Sequence, residues 1–243
     1  MFIKAFEVFN DNSSLFLNGA KNTLIISLVA TTLGLFLGFG LSMLRNIQID
    51  EYDNVLVRLF KKLISLLTMF YIEFVRGTPM MVQAVFVYYG LYKILRWTPM
   101  VAGILVVSFN TAAYMAEIMR SGIQSVERGQ SEAGLALGMK RSLVFRKIVL
   151  PQAIKNAFPS IGNEFVVNIK DTSVLNAIQV TELYYQTMAN AGRTNDFTTA
   201  YFIALIIYFI LTFTVTRLLM LIEKKLQVTR KTTITSQTMP GAL

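Results

Sequence analysis

Two long uncharged runs set the pattern of this chain. Asn22 to Leu44, between Lys21 and Arg45, is 23 residues long, and Phe197 to Thr216, between Asp196 and Arg217, is 20. At about 1.5 Å per residue, either run crosses roughly 30 Å of hydrocarbon as a helix. Three less uniform apolar segments lie between them. Leu63 to Tyr92 is interrupted only by Glu73 and Arg76, 99–120 begins at a helix-starting Pro99, and 152–180 is the least apolar. The pattern predicts an all-α membrane protein with five transmembrane helices, at about 22–44, 63–92, 99–120, 152–180 and 197–222. The first span starts too late and runs too long for a signal peptide, so it is expected to persist. The lead, 1–21, contains an Asp11-Asn12-Ser13-Ser14 turn cluster, and Lys93 to Pro99 reads as a short link with an interfacial Trp97. Residues 182–196 read as a loop, and 226–243 as a polar, Thr-rich tail.

Composition agrees with the membrane reading: 54% of residues are hydrophobic and 15% charged, against about 25% charged in a soluble domain. The net charge of +9 is explained by where the bases fall. With the N-terminus outside and the C-terminus cytoplasmic, the inner segments 45–62, 120–155 and 217–231 hold 16 of the 23 Lys and Arg residues. The outer segments hold five (Lys4, Lys21, Lys93, Arg96, Arg193), a bias that sets the orientation and removes the case for nucleic acid. There is no cysteine and no histidine. Disulfides and thiolate metal sites are therefore excluded, and so is the usual His-dependent intramembrane hydrolase. No Gly-x-x-x-x-Gly-Lys-[Ser/Thr] loop is present to cradle ATP, so the chain is not expected to be an enzyme.

Within the cytoplasmic stretch 121–151, Ser131-Glu132-Ala133-Gly134-Leu135-Ala136-Leu137-Gly138 reads as a two-turn helix. Ser131 suits its N-cap, and Gly138 a left-handed C-terminal turn. A body this apolar suits a helix laid in another protein's groove better than a solvated connector. Packing back on its own chain or on lipid headgroups is the plainer alternative.

Glu132-Ala133-Gly134, then Gly138, then Ile148-Val149-Leu150-Pro151 resembles the signature loop of ABC importer permeases, in which the pattern is Glu-Ala-Ala, Gly and Ile-x-Leu-Pro. Gly134 is the one departure. Ala112 to Arg120, Gly129-Gln130, Leu150-Pro151-Gln152-Ala153, Ile169 to Ser173 and Glu73 to Pro79 resemble the polar amino acid branch of that family, over roughly 20–225. The resemblance implies a transmembrane domain at 22–225 in a multi-pass protein of the bacterial plasma membrane. It also implies a paired permease, identical or related in sequence, and an extracytoplasmic amino-acid-binding protein. A separate ATPase subunit would bind ATP and Mg, with no cofactor in this chain. Coupling to that ATPase would fall to Glu132, Ala133, Gly134, Gly138, Ile148, Leu150 and Pro151, with Pro151 starting the fourth span. Alternating access would follow closure of the ATPases. A secondary transporter, the nearest rival, is expected to show internal repeats, and none is visible.

Ionisable groups inside spans cost at least ~2.5–3.5 kcal/mol each on insertion scales, so they need partners or a wet lining. Glu73 and Arg76 share a face in the second span, just before a kink expected from Gly77, Thr78 and Pro79, where the Val75 carbonyl loses its donor. Asn110, Tyr114 and Glu117 form a stripe in the third span. Glu164, Asn168 and Asp171 form another in the fourth, beside Lys170, Thr172 and Ser173. These residues either line a path for a zwitterionic or charged substrate or form fixed pairs between helices. A structural or gating role suits Lys170 to Ser173, nearer the outer face.

Overall fold

A computed structural model describes residues 1–47 and 53–226. All but the first residue of the tail predicted at 226–243, and part of the basic stretch 45–62, lie outside the described residues. All the regular structure described is helical. The elements are α1 (Phe2–Arg45), α2 (Val55–Gly77), α3 (Met80–Leu95), α4 (Pro99–Gln124), α5 (Arg128–Ala136), α6 (Arg141–Val144), α7 (Leu150–Asp171), α8 (Leu183–Thr194) and α9 (Phe197–Lys225). A π-helical turn, Phe145–Val149, joins α6 to α7, and a 3-10 segment, Thr172–Ile178, extends α7.

Three of these helices are long and apolar enough to cross a membrane: α1, α4 and α9. α3 is apolar but has only 16 residues. The chain is organised around α4, the most enclosed of the long helices. It packs on α1 through small residues. A Cβ added at Gly34 would lie 2.7 Å from Thr111 Cγ2, and one at Gly38 would lie 2.5 Å from Met115 Cβ. Such contact between backbones is how helices gain van der Waals energy where lipid offers no hydrophobic drive. Ile26 and Ala30 of α1, Ala84 of α3, Val106 and Val107 of α4, and Leu175 and Ile178 of the 3-10 segment close the main core.

Several sequence expectations need correction. The lead is helical from Phe2 onward, and the predicted turn cluster is only a break at Asn12 (φ −126°, ψ 19°). Asn12 Nδ2 donates to the Val8 carbonyl at 2.9 Å, so the broken turn stays hydrogen-bonded. Burial of Ala5 and Phe16 against Leu183 and Ile203 holds the lead in place. The predicted loop 182–196 is mostly α8. The Glu182 carboxylate caps it, accepting from the N–H groups of Tyr184 (2.9 Å) and Tyr185 (2.7 Å), and a Glu in that role gives little sequence signal.

The predicted second span is two helices rather than one kinked helix. Thr78 (ψ 147°) and Pro79 (ψ 131°) are extended between α2 and α3. Pro151 stands in the first turn of α7, as expected, but the helical path begins before it, running from Arg141 through the π turn, where Leu150 N–H donates to Phe145 O. Proline clashes with the carbonyl four residues before it, and a wider turn just upstream relieves that clash. The span's last stretch is wound as 3-10, ending at Gln179 in the left-handed region (φ 62°).

Candidate functional site

The break at Thr78 and Pro79 frees backbone groups inside the bundle, and a side chain answers them. Gln83 Nε2 lies 2.8 Å from the Val75 carbonyl, 3.1 Å from the Thr78 carbonyl and 2.7 Å from Thr78 Oγ1. Its Oε1 accepts from Asn110 Nδ2 of α4 at 3.1 Å. The expectation that the Val75 carbonyl would need a partner is met by a residue that carried no site signal in the sequence. Asn110 stands one side of a cleft of about 440 Å³, lined also by Thr78, Pro79, Met80, Tyr114, Glu164, Val167, Asp171 and Val174. The cleft brings together Thr78, Tyr114, Glu164 and Asp171 from the predicted path set.

The predicted stripe Glu164, Asn168, Asp171 divides. At 100° per residue, Asp171 returns to within 20° of Glu164, whereas Asn168 is turned 40° to the other side. Asn168 is buried between helices, donating to Thr31 Oγ1 at 2.8 Å and exchanging hydrogen bonds with Thr111 Oγ1. It ties α1, α4 and α7 together and stands off the cleft. Thr172 is also buried, its hydroxyl donating to the Ile169 carbonyl at 3.1 Å. Glu73 and Lys170 are exposed, Ser173 is half-buried, and none of the three lines the cleft.

Arg76 turns to α4 rather than to Glu73. Its guanidinium carbon stands 5.3 Å from the centre of the Tyr114 ring, and Nη1 is 3.9 Å from Glu117 Oε1. Glu117 is itself held by Arg45 of α1 and by Arg120, whose Nε and Nη2 lie 2.8 Å and 2.7 Å from Oε2. One carboxylate thus gathers three arginines from α1, α2 and α4 beside the cleft. Arg45 escapes a sequence search because a charge paired between helices leaves no spacing to read, whereas Arg120 pairs with Glu117 within α4 at a spacing of three, which the sequence did offer.

The second candidate region lies at the helix ends marked by Arg45, Arg120 and Arg141. α5 begins at Arg128 with Glu127 at the N-cap position, so Ser131 is inside the helix and not its cap. Its end is as expected: Gly138 has φ +80°, its N–H donates to Leu135 O at 2.9 Å, and Met139 N–H donates to Gly134 O at 3.2 Å. This pair of bonds is the Schellman arrangement that a glycine in the left-handed region permits. Glu132, Ala133, Ala136 and Leu137 are exposed, Leu137 at 82%. Gly134 is the buried residue of α5, facing Val144 and Ile148, while Leu150 is half-buried and Pro151 exposed. Behind α5 a cleft of about 670 Å³ is lined by residues that include Arg128, Ser131, Glu132, Arg141 and Phe145.

Known proteins resemble this chain in sequence and fold. Residues 55–228 match the family described as binding-protein-dependent transport system inner membrane component. The nopaline transport system permease protein NocM of Agrobacterium fabrum is 39% identical over 180 residues, 69% of this chain and 75% of that protein. The glutamine transport system permease protein GlnP of Escherichia coli is 35% identical over 175 residues, 71% of this chain and 74% of that one. A crystal structure of an amino acid ABC transporter with histidines superposes with a TM-score of 0.79 at 33% identity, covering 89% of this chain and 96% of that one. An inward-facing MetNI methionine ABC transporter shares the fold at 17% identity, with a TM-score of 0.74 and coverage of 90% and 99%. The chain therefore belongs to the binding-protein-dependent transport system inner membrane components, and is a permease subunit of an ABC importer.

Proposed function

We propose that this permease carries polar amino acids across the bacterial plasma membrane through the 440 Å³ cleft at the break between α2 and α3. One observation carries the reading: α7 presents two carboxylates, Glu164 and Asp171, to a cleft whose opposite wall holds Asn110 and Tyr114, with Arg76 stacked on Tyr114. A zwitterion meets both signs of charge there, its ammonium on the carboxylates and its carboxylate toward Arg76. The relatives named for glutamine and nopaline support a polar, amino-acid-like cargo.

In this reading α1, the broken pair α2 and α3, α4, α7 with its 3-10 extension, and α9 make five crossings, with the N-terminus outside. Asn168 and Thr172 brace the path, Glu117 holds its inner side, and Glu73, Lys170 and Ser173 border it. At the cytoplasmic end α5 presents Glu132, Ala133 and Leu137 to an ATPase subunit that binds ATP and Mg. Gly138 ends that helix, while Gly134, Ile148, Leu150 and Pro151 connect it to α7. A second permease, identical or related, and an external binding protein complete the importer.

The test is amino-acid binding to the detergent-purified permease complex without the binding protein, by titration calorimetry against each of the twenty amino acids. Glu164→Gln and Arg76→Ala are expected to weaken binding of the best ligand at least tenfold. Unchanged binding and transport in both variants would refute the path assignment.

A further inference from the structure

A further cleft, of about 540 Å³, lies between the cytoplasmic ends of α1 and α4 and the start of α6. It straddles the edge of the hydrocarbon. Met43 belongs to the uncharged run of α1, and Asn46 stands beyond Arg45, where that run has ended. Its walls are of two kinds. Met43, Ile123 and Phe145 are apolar, whereas Arg120, Gln124, Arg141 and Ser142 bring hydrogen-bond donors.

Those donors suit an anion. Arg120 Nη1 donates to Gln124 Oε1 at 2.8 Å, which occupies the amide oxygen and leaves Gln124 Nε2 to donate elsewhere. Arg141 is exposed and makes no ion pair among the described residues; Glu132 lines the adjoining 670 Å³ cleft, which shares Arg141, but stays out of ion-pair range. Behind the wall, the single Glu117 carboxylate faces three guanidinium groups, Arg45, Arg76 and Arg120, so positive charge is left over. The apolar half of the cleft continues into the bilayer along α1. Phe36, Val29 and Ile25 stand within about 40° of Met43 around that helix. They are 71%, 38% and 41% exposed, so no other helix of the chain covers this stripe.

We propose that this cleft holds the headgroup of an anionic phospholipid from the cytoplasmic leaflet. Arg141 takes the phosphate, Gln124 Nε2 and Ser142 Oγ are the further donors, and the lipid's apolar part lies on Met43 and Phe36. A guanidinium matches phosphate oxygens with paired donors, and a basic pocket at the inner membrane surface favours lipids of net negative charge. A zwitterionic headgroup brings its own cation to the same place and gains less. A soluble anion would leave the apolar wall and the stripe above it unused. The site lies at the membrane surface and stands independently of the amino-acid path.

The experiment titrates the detergent-purified permease complex with dioleoylphosphatidylglycerol or dioleoylphosphatidylcholine and counts bound lipid by native mass spectrometry. Wild type is expected to bind the phosphatidylglycerol at least fivefold more tightly. Arg141→Gln should bring the two lipids to within about twofold of each other. Ser142→Asp, which sets a carboxylate in the cleft, should do the same and serves if Arg141→Gln does not assemble. Lys147→Gln removes an exposed cation that does not line the cleft and should keep the full preference. Equal binding of the two lipids by wild type overturns the proposal, as does a preference that survives both cleft substitutions. An equal loss in Lys147→Gln also overturns it, since diffuse surface charge would then be the cause. Displacement of phosphatidylglycerol by excess inorganic phosphate at constant ionic strength would assign the cleft to a small soluble anion and overturn the lipid reading.

Discussion

Gln83 offers the sharpest check on how the bundle tolerates its break. Pro79 has no N–H for the Val75 carbonyl, and the Gln83 amide supplies the replacement at 2.8 Å while holding Asn110 with its oxygen at 3.1 Å. Gln83→Leu keeps the volume and removes both partners. An orphaned buried polar group costs about 1–3 kcal/mol. Gln83 is only half-buried, so the low end applies to each of the two groups, the Val75 carbonyl and the Asn110 amide, for about 2 kcal/mol in all. In a chain of this size that corresponds to a loss of about 4–8 °C in Tm. The assay is thermal unfolding of the detergent-purified permease, followed by tryptophan emission, since Trp97 packs against the core that α3 helps to close. Amino-acid binding should weaken in parallel, because Asn110 lines the cleft. A Tm within about 1 °C of wild type would show that the break does not depend on Gln83.

Two further outcomes follow from the same geometry. Gly138 has φ +80° and open space around its Cβ position, so Gly138→Asp strains the backbone by roughly 1–2 kcal/mol without a steric clash. Insertion should persist while ATPase association and transport fall, as measured by copurification and uptake; normal association with full transport would argue against a docking role. Burial pushes the Glu182 carboxyl above its ordinary value of 4.5, against the opposing hydrogen bonds from Tyr184, Tyr185 and the Tyr208 hydroxyl. A raised folded value means the folded state keeps the proton longer, so this group's contribution to stability falls as pH rises from about 4.5 through that higher value. The Tm of wild type relative to Glu182→Gln should therefore drop between mildly acidic and alkaline pH, and a pH-independent difference would refute the burial argument.

The sequence alone determined the features that depend on composition and local chemistry. Uninterrupted apolar runs identified α1 and α9, because crossing hydrocarbon demands length without charge. Pro99 marked the start of α4, and Gly138 marked a left-handed helix end, because backbone geometry at those positions depends on the residue itself. The loop motif around Glu132 identified the family. Only the tertiary structure decided the rest. Whether Gly77 to Pro79 kinks or breaks a helix depends on a partner for the freed carbonyl, and that partner, Gln83, lies eight residues from Val75. Asn168 and Asp171 belonged to one polar stripe in the sequence, yet they stand about 60° apart around α7, and Thr31, 137 residues away in the chain, takes up Asn168 between helices. Glu182 caps α8 from a buried site that Tyr208 helps to satisfy. In each case the deciding hydrogen-bond partner is close in space and carries no sequence signal of its own. Helix periodicity assigns a residue to a face, but the neighbouring helix decides whether that face is a wall of the cleft or a joint.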